Sequence, residues 1–475
     1  MSPTAVLRAR APGLRCRASL RSPRLALVAS LLVAALAGAS CAIHPDGERA
    51  ERDLAGRAYG GSGSAGGPEA GSRAEEARAV VEPPPLAPSA SLGAILQHAY
   101  AASPRLRGLY WEWIAAIEAI PQEASPGTNL SVSVESMFED GETSLARTTL
   151  GIGNDPMSSI PWPGKLSTAG KRALEMARAA GRRFEGGKLE VRTKVLGAYY
   201  DYALVAESMR LKEAEVALLE TVVDVAGARV RAGASSTRDL LGALTERDLA
   251  ASELETLRSL AAGRRAELNA LLGRDPEDPL DLPAELPRPR ELPYGDAEIL
   301  ALVAQRNPEL AALAYESRAN QQAVKIARQQ YIPDLGLTLR GDLEGVAQSI
   351  MGMLTAPIVR HQAIAASIRQ ARAELEASEA LRREAASDIK ASTILALYDL
   401  RDTDRQVKLF EGTVVPRLEE TVALARADYV AGTATVSDLV EVQRVLLDAR
   451  LAVATMRMER EGLLARIEQL AGGEN

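Results

Sequence analysis

Residues 91 to 273 and 297 to 472 carry the same order of features, so this chain must be built from two copies of one unit. The copy is visible in two places. Ser91-Leu-Gly-Ala-Ile-Leu-Gln-His-Ala-Tyr-Ala-Ala-Ser-Pro104 returns as Ala297-Glu-Ile-Leu-Ala-Leu-Val-Ala-Gln-Arg-Asn-Pro308. Proline suits the first turn of a helix, where its missing N–H is not needed, and Ser or Asn caps the turn before it, so both dipeptides open a new helix. Further on, Ala228-Arg-Val-Arg-Ala-Gly233 and Ala427-Asp-Tyr-Val-Ala-Gly432 each end in a glycine followed six residues later by an acid, Asp239 and Asp438. Between the copies, residues 274–296 read as a connector, with Pro, Asp and Glu crowded into Asp275 to Pro293.

No proline interrupts Lys165 to Arg231. The chain is 47% apolar but only 4% aromatic, so its bulk is Ala, Leu, Val, Glu and Arg, largely helix formers. As one helix this stretch would run roughly 100 Å at 1.5 Å per residue. His361 to Val430 is its partner, interrupted once at Pro416, where a kink or break is expected. Shorter helical stretches follow, Thr237 to Leu272 and Val436 to Ala471, after glycine turns at Gly233 and Gly432 that let the chain reverse. Each copy thus supplies a long antiparallel helical hairpin. On the helices alone, a coiled-coil scaffold also fits.

Each copy also carries a strand-like insert, at about 129–153 and about 335–358. Asn129-Leu-Ser-Val-Ser-Val-Glu135 alternates apolar with polar, and Thr148-Thr-Leu-Gly-Ile-Gly153 answers it; Leu335-Gly-Leu-Thr-Leu-Arg340 and Ile350-Met-Gly-Met-Leu-Thr355 do the same in the second copy. The expected fold class is therefore mainly α with a small β part. Period-two alternation suits a barrel strand with one face to lipid and one to water. Two hairpins cannot close a membrane barrel, so a membrane role requires strands from other subunits. Small soluble hairpins capping a helical rod are the alternative.

The first ninety residues read as an address and a tether. Six arginines from Arg8 to Arg24 precede the apolar run Leu25 to Ala37, the order of a secretory signal over residues 1–40. Gly38-Ala39-Ser40-Cys41 resembles a bacterial lipobox, in which Cys41 would be acylated; Gly38 departs from the usual Leu. A plain signal peptide with an incidental cysteine is the other reading. Residues 41–90, with Gly60-Gly-Ser-Gly-Ser64 and Pro83-Pro-Pro85, show no apolar periodicity and are expected to form a disordered tether.

Other functions find little footing. A net charge of −7 argues against a nucleic-acid partner. The cysteines, Cys16 and Cys41, lie near the start, and His44, His98 and His361 are scattered, so no metal cluster is indicated. No nucleophile–base pair or phosphate loop suggests catalysis, and no cofactor is implied.

The ordered features resemble the TolC-type outer-membrane efflux family over nearly all of residues 91 to 472: the Ser/Asn-Pro helix starts, the strand pair followed by Ile160-Pro-Trp-Pro-Gly-Lys165, the Tyr429-Val-Ala-Gly432 turn and Asp438-Leu439. The Pro-Trp-Pro-Gly-Lys segment is similar to members serving heavy-metal efflux. The resemblance implies a homotrimer sharing a twelve-stranded barrel and an α-barrel tunnel, lipid-anchored in the outer membrane and extending into the periplasm. It implies a periplasmic adaptor and a resistance-nodulation-division pump as partners, met at helix-turn tips such as Gly233 and Gly432. It places Asp438 and Glu441 at the channel entrance as stacked acid rings favouring cations. A helix cap and a solvated surface acid are the plainer readings of these two. Ala434 stands where the family's best-known member has an entrance-latching arginine. A type I secretion or drug-efflux duct, and a soluble periplasmic coiled-coil adaptor or scaffold, are the rival functions.

Overall fold

The computed structural model describes residues 44–58, 83, 85–125, 129–139, 142–153, 162–233, 236–342, 348–355, 360–431 and 433–473. A helix α1 (Glu48–Ala58) precedes the repeats. The first repeat contains α2 (Leu92–Ala102), α3 (Pro104–Ala124), β1 (Asn129–Glu139), β2 (Glu142–Gly153), α4 (Pro163–Arg231) and α5 (Thr237–Leu271). The second contains α6 (Asp296–Arg306), α7 (Pro308–Gln329), β3 (Asp334–Asp342), β4 (Gln348–Thr355), α8 (His361–Leu409), α9 (Val415–Ala431) and α10 (Val436–Ala471). Contacts divide these into one compact unit of Pro121–Thr168 with Gln329–His361, and another of Pro45–Ile120, Ala169–Arg328 and the residues from Gln362 on.

The first unit holds one antiparallel sheet in the order β1-β2-β3-β4. Its register follows the alternation: Leu130 pairs with Ile152, Ile152 with Leu339, and Leu339 with Ile350, while Ser133 pairs with Thr149 and Thr149 with Asp342. A one-residue slip would put apolar positions opposite polar ones, so the pattern fixes the register. The strands run longer than their alternating cores, and β1 absorbs an irregularity between Glu135 and Met137. The two expected hairpins are not separate, because β2 and β3 join them into one sheet across the repeats. Beside this sheet, Lys165 Nζ donates to Asp334 Oδ1 at 2.6 Å and to the Ile332 carbonyl at 2.8 Å, tying the start of α4 to the lead into β3. Gln329 Nε2 adds a bond to Thr168 Oγ1 at 3.0 Å.

In the second unit the repeats bury matching positions. Ile95, Ala99, Leu268 and Leu272 are core residues of the first repeat; Ile299, Val303, Ile467 and Ala471 take their places in the second. The Ser-Pro and Asn-Pro starts are helix caps: the Leu106 N–H donates to Ser103 Oγ and the Leu310 N–H to Asn307 Oδ1. Within α4, Gly181, Gly186 and Gly187 stand where a Cβ would crowd Trp113, Pro308 and Leu109 respectively. Glycine weakens a helix interior by about 1 kcal/mol. Here it admits neighbours that a side chain would push away.

At Pro416 the helical run of the second repeat continues without a break. One π-turn, Phe410–Val414, lies just before it, and the Val415 N–H donates to the Phe410 carbonyl. Proline lacks an N–H and its ring would collide with the carbonyl four residues back, that of Gly412; the wider turn absorbs both faults.

The connector is pinned by charge. Glu461, buried at 2% exposure, accepts from the Arg290 N–H (3.0 Å), Arg290 Nε (2.8 Å) and Arg460 Nη1 (2.8 Å). Glu468, two turns along α10, accepts from Arg290 Nη1 (2.8 Å) and Arg192 Nη1 (2.5 Å), while Arg460 Nε reaches Asp404 (2.6 Å). Burial works against charge on Arg290, but Glu461 and Glu468 outweigh it and raise its pKa.

The expected tether over 41–90 needs correction, because Glu48–Ala58 is a docked helix. Trp113 Nε1 donates to Glu51 Oε1 at 3.0 Å, Arg52 pairs with Glu118, and Ala55 is 1% exposed. Burial raises the Glu51 carboxyl's pKa, partly opposed by the Trp113 hydrogen bond. The helix is held by polar contacts, so no apolar period announced it.

At the other end, Gly472 ends α10 with φ +87°, and a Cβ there would overlap the Arg306 carbonyl oxygen. Gly472→Ala is expected to destabilise by at least about 1–2 kcal/mol from the left-handed backbone alone. A lowered Tm in detergent would register it; an unchanged Tm would refute the close approach.

Candidate functional site

The residues singled out for the entrance belong to the two hairpin turns and the helix starts that follow them. Gly233 leaves α4 with φ +71° in open space, its N–H bonded to the Val230 carbonyl at 3.0 Å. Gly432 lies outside the described residues; beyond it, the Thr433 N–H and Oγ1 both donate to the Asp428 carbonyl at 3.0 Å. Each turn then opens a helix with a capping box. Ser236 and Asp239 exchange bonds at 3.3 Å, and Thr435 and Asp438 at 3.2 and 2.9 Å, with Thr435 Oγ1 also donating to Asp438 at 2.8 Å. Two otherwise unpaired N–H groups are satisfied in each box.

Asp438 is thus a cap, and it is also exposed. The Thr435 N–H, then its hydroxyl, hold the Asp438 carboxyl below the usual carboxylate range. Glu441, one turn on, is exposed too, while Val436 and Leu439 turn inward. The helix therefore packs one face and shows an acidic one. The first repeat keeps the acid at Asp239 but has Gly242 in place of Glu441.

Arg229 and Tyr429 join the hairpins here, a contact the sequence reading missed. Val222 and Ala226 of α4, Ala243 of α5, Tyr429 of α9 and Val436 and Leu439 of α10 form one core cluster. Arg229 Nη1 donates to the Tyr429 carbonyl at 2.8 Å, and its guanidinium lies 5.2 Å from the ring centroid. The buried Tyr429 hydroxyl has no hydrogen-bond partner among the described residues. The available sequence signal was the Tyr429 turn facing an arginine at the matching end of the other hairpin.

Cys41 lies outside the described residues. Among those described, no group of three or more His, Cys, Asp or Glu could hold a metal ion, and no helix is long and apolar enough to cross a membrane.

The described residues comprise a four-stranded sheet and duplicated long helical hairpins whose turns carry acids and caps. Residues 299–473 match the family described as outer membrane efflux protein. The chain thus resembles that family over its second repeat, less than half of its length. It is 25% identical over 342 residues to the cobalt-zinc-cadmium resistance protein CzcC of Cupriavidus metallidurans, covering 69% of this chain and 76% of that protein. The fold is similar to that of CusC, with a TM-score of 0.69, 15% identity, and coverage of 80% of this chain and 92% of that one. It is also similar to the open state of the Neisseria gonorrhoeae MtrE channel, at TM-score 0.68, 18% identity, 80% and 88% coverage.

Proposed function

We propose that three copies of this chain form the lipid-anchored outer-membrane channel of a tripartite efflux system, a passive conduit for heavy-metal cations delivered by an inner-membrane pump and a periplasmic adaptor. One observation carries the reading: a continuous sheet whose paired positions alternate apolar and polar, and whose outer strands β1 and β4 pair on one side only among the described residues. In hydrocarbon such edges are not tolerated, so a sheet of this kind is completed by neighbours, and three copies of four strands make a twelve-stranded barrel. A soluble adaptor has no use for that pattern.

The proposed entrance and the relative both support this substrate class. CzcC is named for cobalt, zinc and cadmium resistance, which supports divalent cations. Rings of Asp438 and Glu441 in a trimer would favour them. The adaptor would meet the turns at Gly233 and Gly432, and Cys41 would carry the lipid.

The test is planar-bilayer conductance of the full-length trimer with Zn²⁺ and K⁺ as permeant ions. Asp438→Asn with Glu441→Gln keeps a capping side chain at 438 and removes the charge. Severalfold loss of cation preference and of divalent block is expected. Unchanged selectivity would sink the acid rings. In the unaltered channel, the Asp438 charge should persist to lower pH than an ordinary carboxylate, because Thr435 holds it ionised.

A further inference from the structure

We infer that α1 is a clasp that fixes the acylated end of the chain to the folded body and so sets where the lipid anchor leaves it; this rests on acylation at Cys41. Several independent contacts hold α1. Glu51 takes the Trp113 Nε1 bond at 3.0 Å, and α4 makes room for both by placing Gly181 there: a Cβ would sit 2.8 Å from the Trp113 ring and 3.0 Å from Glu51 Oε1. Arg52 bridges Glu48 of its own helix, at 3.1 Å, and Glu118 of α3. Glu48 is 3% and Ala55 1% exposed. A tight turn leads in, with the Glu48 N–H bonded to the Pro45 carbonyl and Gly47 at φ +104° beside Arg178.

The chain length turns this docking into a positional constraint. Cys41 precedes Pro45 by four residues, so its Cα stands at most about 14 Å from that of Pro45. A flexible tether running from Cys41 to Ser91 would instead let the lipid wander over a root-mean-square span of about 40 Å. Docked, α1 couples the lipid to α3 and α4 at the level of Trp113 and Gly181. A free helix of eleven residues is too short to hold in water, so release from the body would melt it.

Amide hydrogen exchange of the full-length protein in outer-membrane lipid vesicles tests this, alongside the mass of the amino-terminal fragment. Ala55→Asp with Glu51→Ala places an unpaired charge in the buried face of α1 and removes the Trp113 bond. The amides of residues 48–58 should exchange slowly in the original chain and tenfold or more faster in the variant, with trypsin then cutting after Arg49, Arg52 or Arg57. Exchange in residues 184–205 of α4 should match between the two, reporting an intact body. Fast exchange of 48–58 in the original chain, or equal protection in both, overturns the clasp. Protected amides with an unacylated Cys41 overturn the lipid reading, and with it the anchoring role given to α1.

Discussion

Glu461→Ala is expected to destabilise the second unit by about 3 kcal/mol, the lower part of the range for breaking a buried ion pair. The carboxylate is 2% exposed and serves three donors: the Arg290 main chain, the Arg290 guanidinium and Arg460. Removing it leaves two cations facing a cavity. Arg460, 14% exposed, keeps Asp404; Arg290, 34% exposed, keeps Glu468 and regains some water, which is why the loss stays at the lower end. Glu461→Gln separates charge from bonding, since the amide oxygen accepts from the Arg290 N–H but offers no charge. It should fall between the original and the alanine variant. The readout is urea or thermal unfolding in detergent, with exchange at residues 286–292 reporting release of the connector. Equal stability of all three proteins would show that the network contributes nothing net.

That network was illegible in the sequence. Arg192, Arg290, Asp404, Arg460, Glu461 and Glu468 come from a connector and three helices, and in a chain this rich in Arg and Glu no spacing marks six charges as partners. The long helices were legible for the opposite reason. An unbroken run from Lys165 and the Ser-x-x-Asp and Thr-x-x-Asp boxes at Ser236 and Thr435 are local signals, and α4, α5 and α10 begin within two residues of them. Strand alternation is local as well, but the pairing of β2 with β3 joins segments from different repeats and had no local sign.

At the candidate entrance the same division holds. The capping role of Asp438 could be read from Thr435, three residues before it. The contact between Arg229 and Tyr429 depends on two hairpins meeting, which no stretch of either encodes. Helix α1 failed differently. Its buried positions, Glu48, Glu51 and Ala55, do recur at helical spacing, but two are acids, and a search for apolar period passes over them.

Leu339→Arg is expected to abolish outer-membrane trimers while Thr338→Arg leaves them largely intact. Leu339 sits in β3 between Ile152 of β2 and Ile350 of β4, an apolar position flanked by apolar positions on both sides. Thr338, one residue away, pairs with Gly153 and Met351 and belongs to the opposite face, because successive strand residues alternate. In the proposed barrel the first face meets lipid and the second meets water. An arginine on the lipid face costs about 2–4 kcal/mol near the bilayer midplane, and each trimer would carry three, whereas lumen substitutions chiefly tune selectivity. Heat-modifiable trimer in outer-membrane fractions, scored by gel mobility before and after boiling, separates the outcomes. Loss at Leu339 alone supports the barrel and fixes which face is outward. Equal tolerance at both positions would mean that the sheet does not face hydrocarbon, and the same helical hairpins would then have to serve a protein that works outside the membrane.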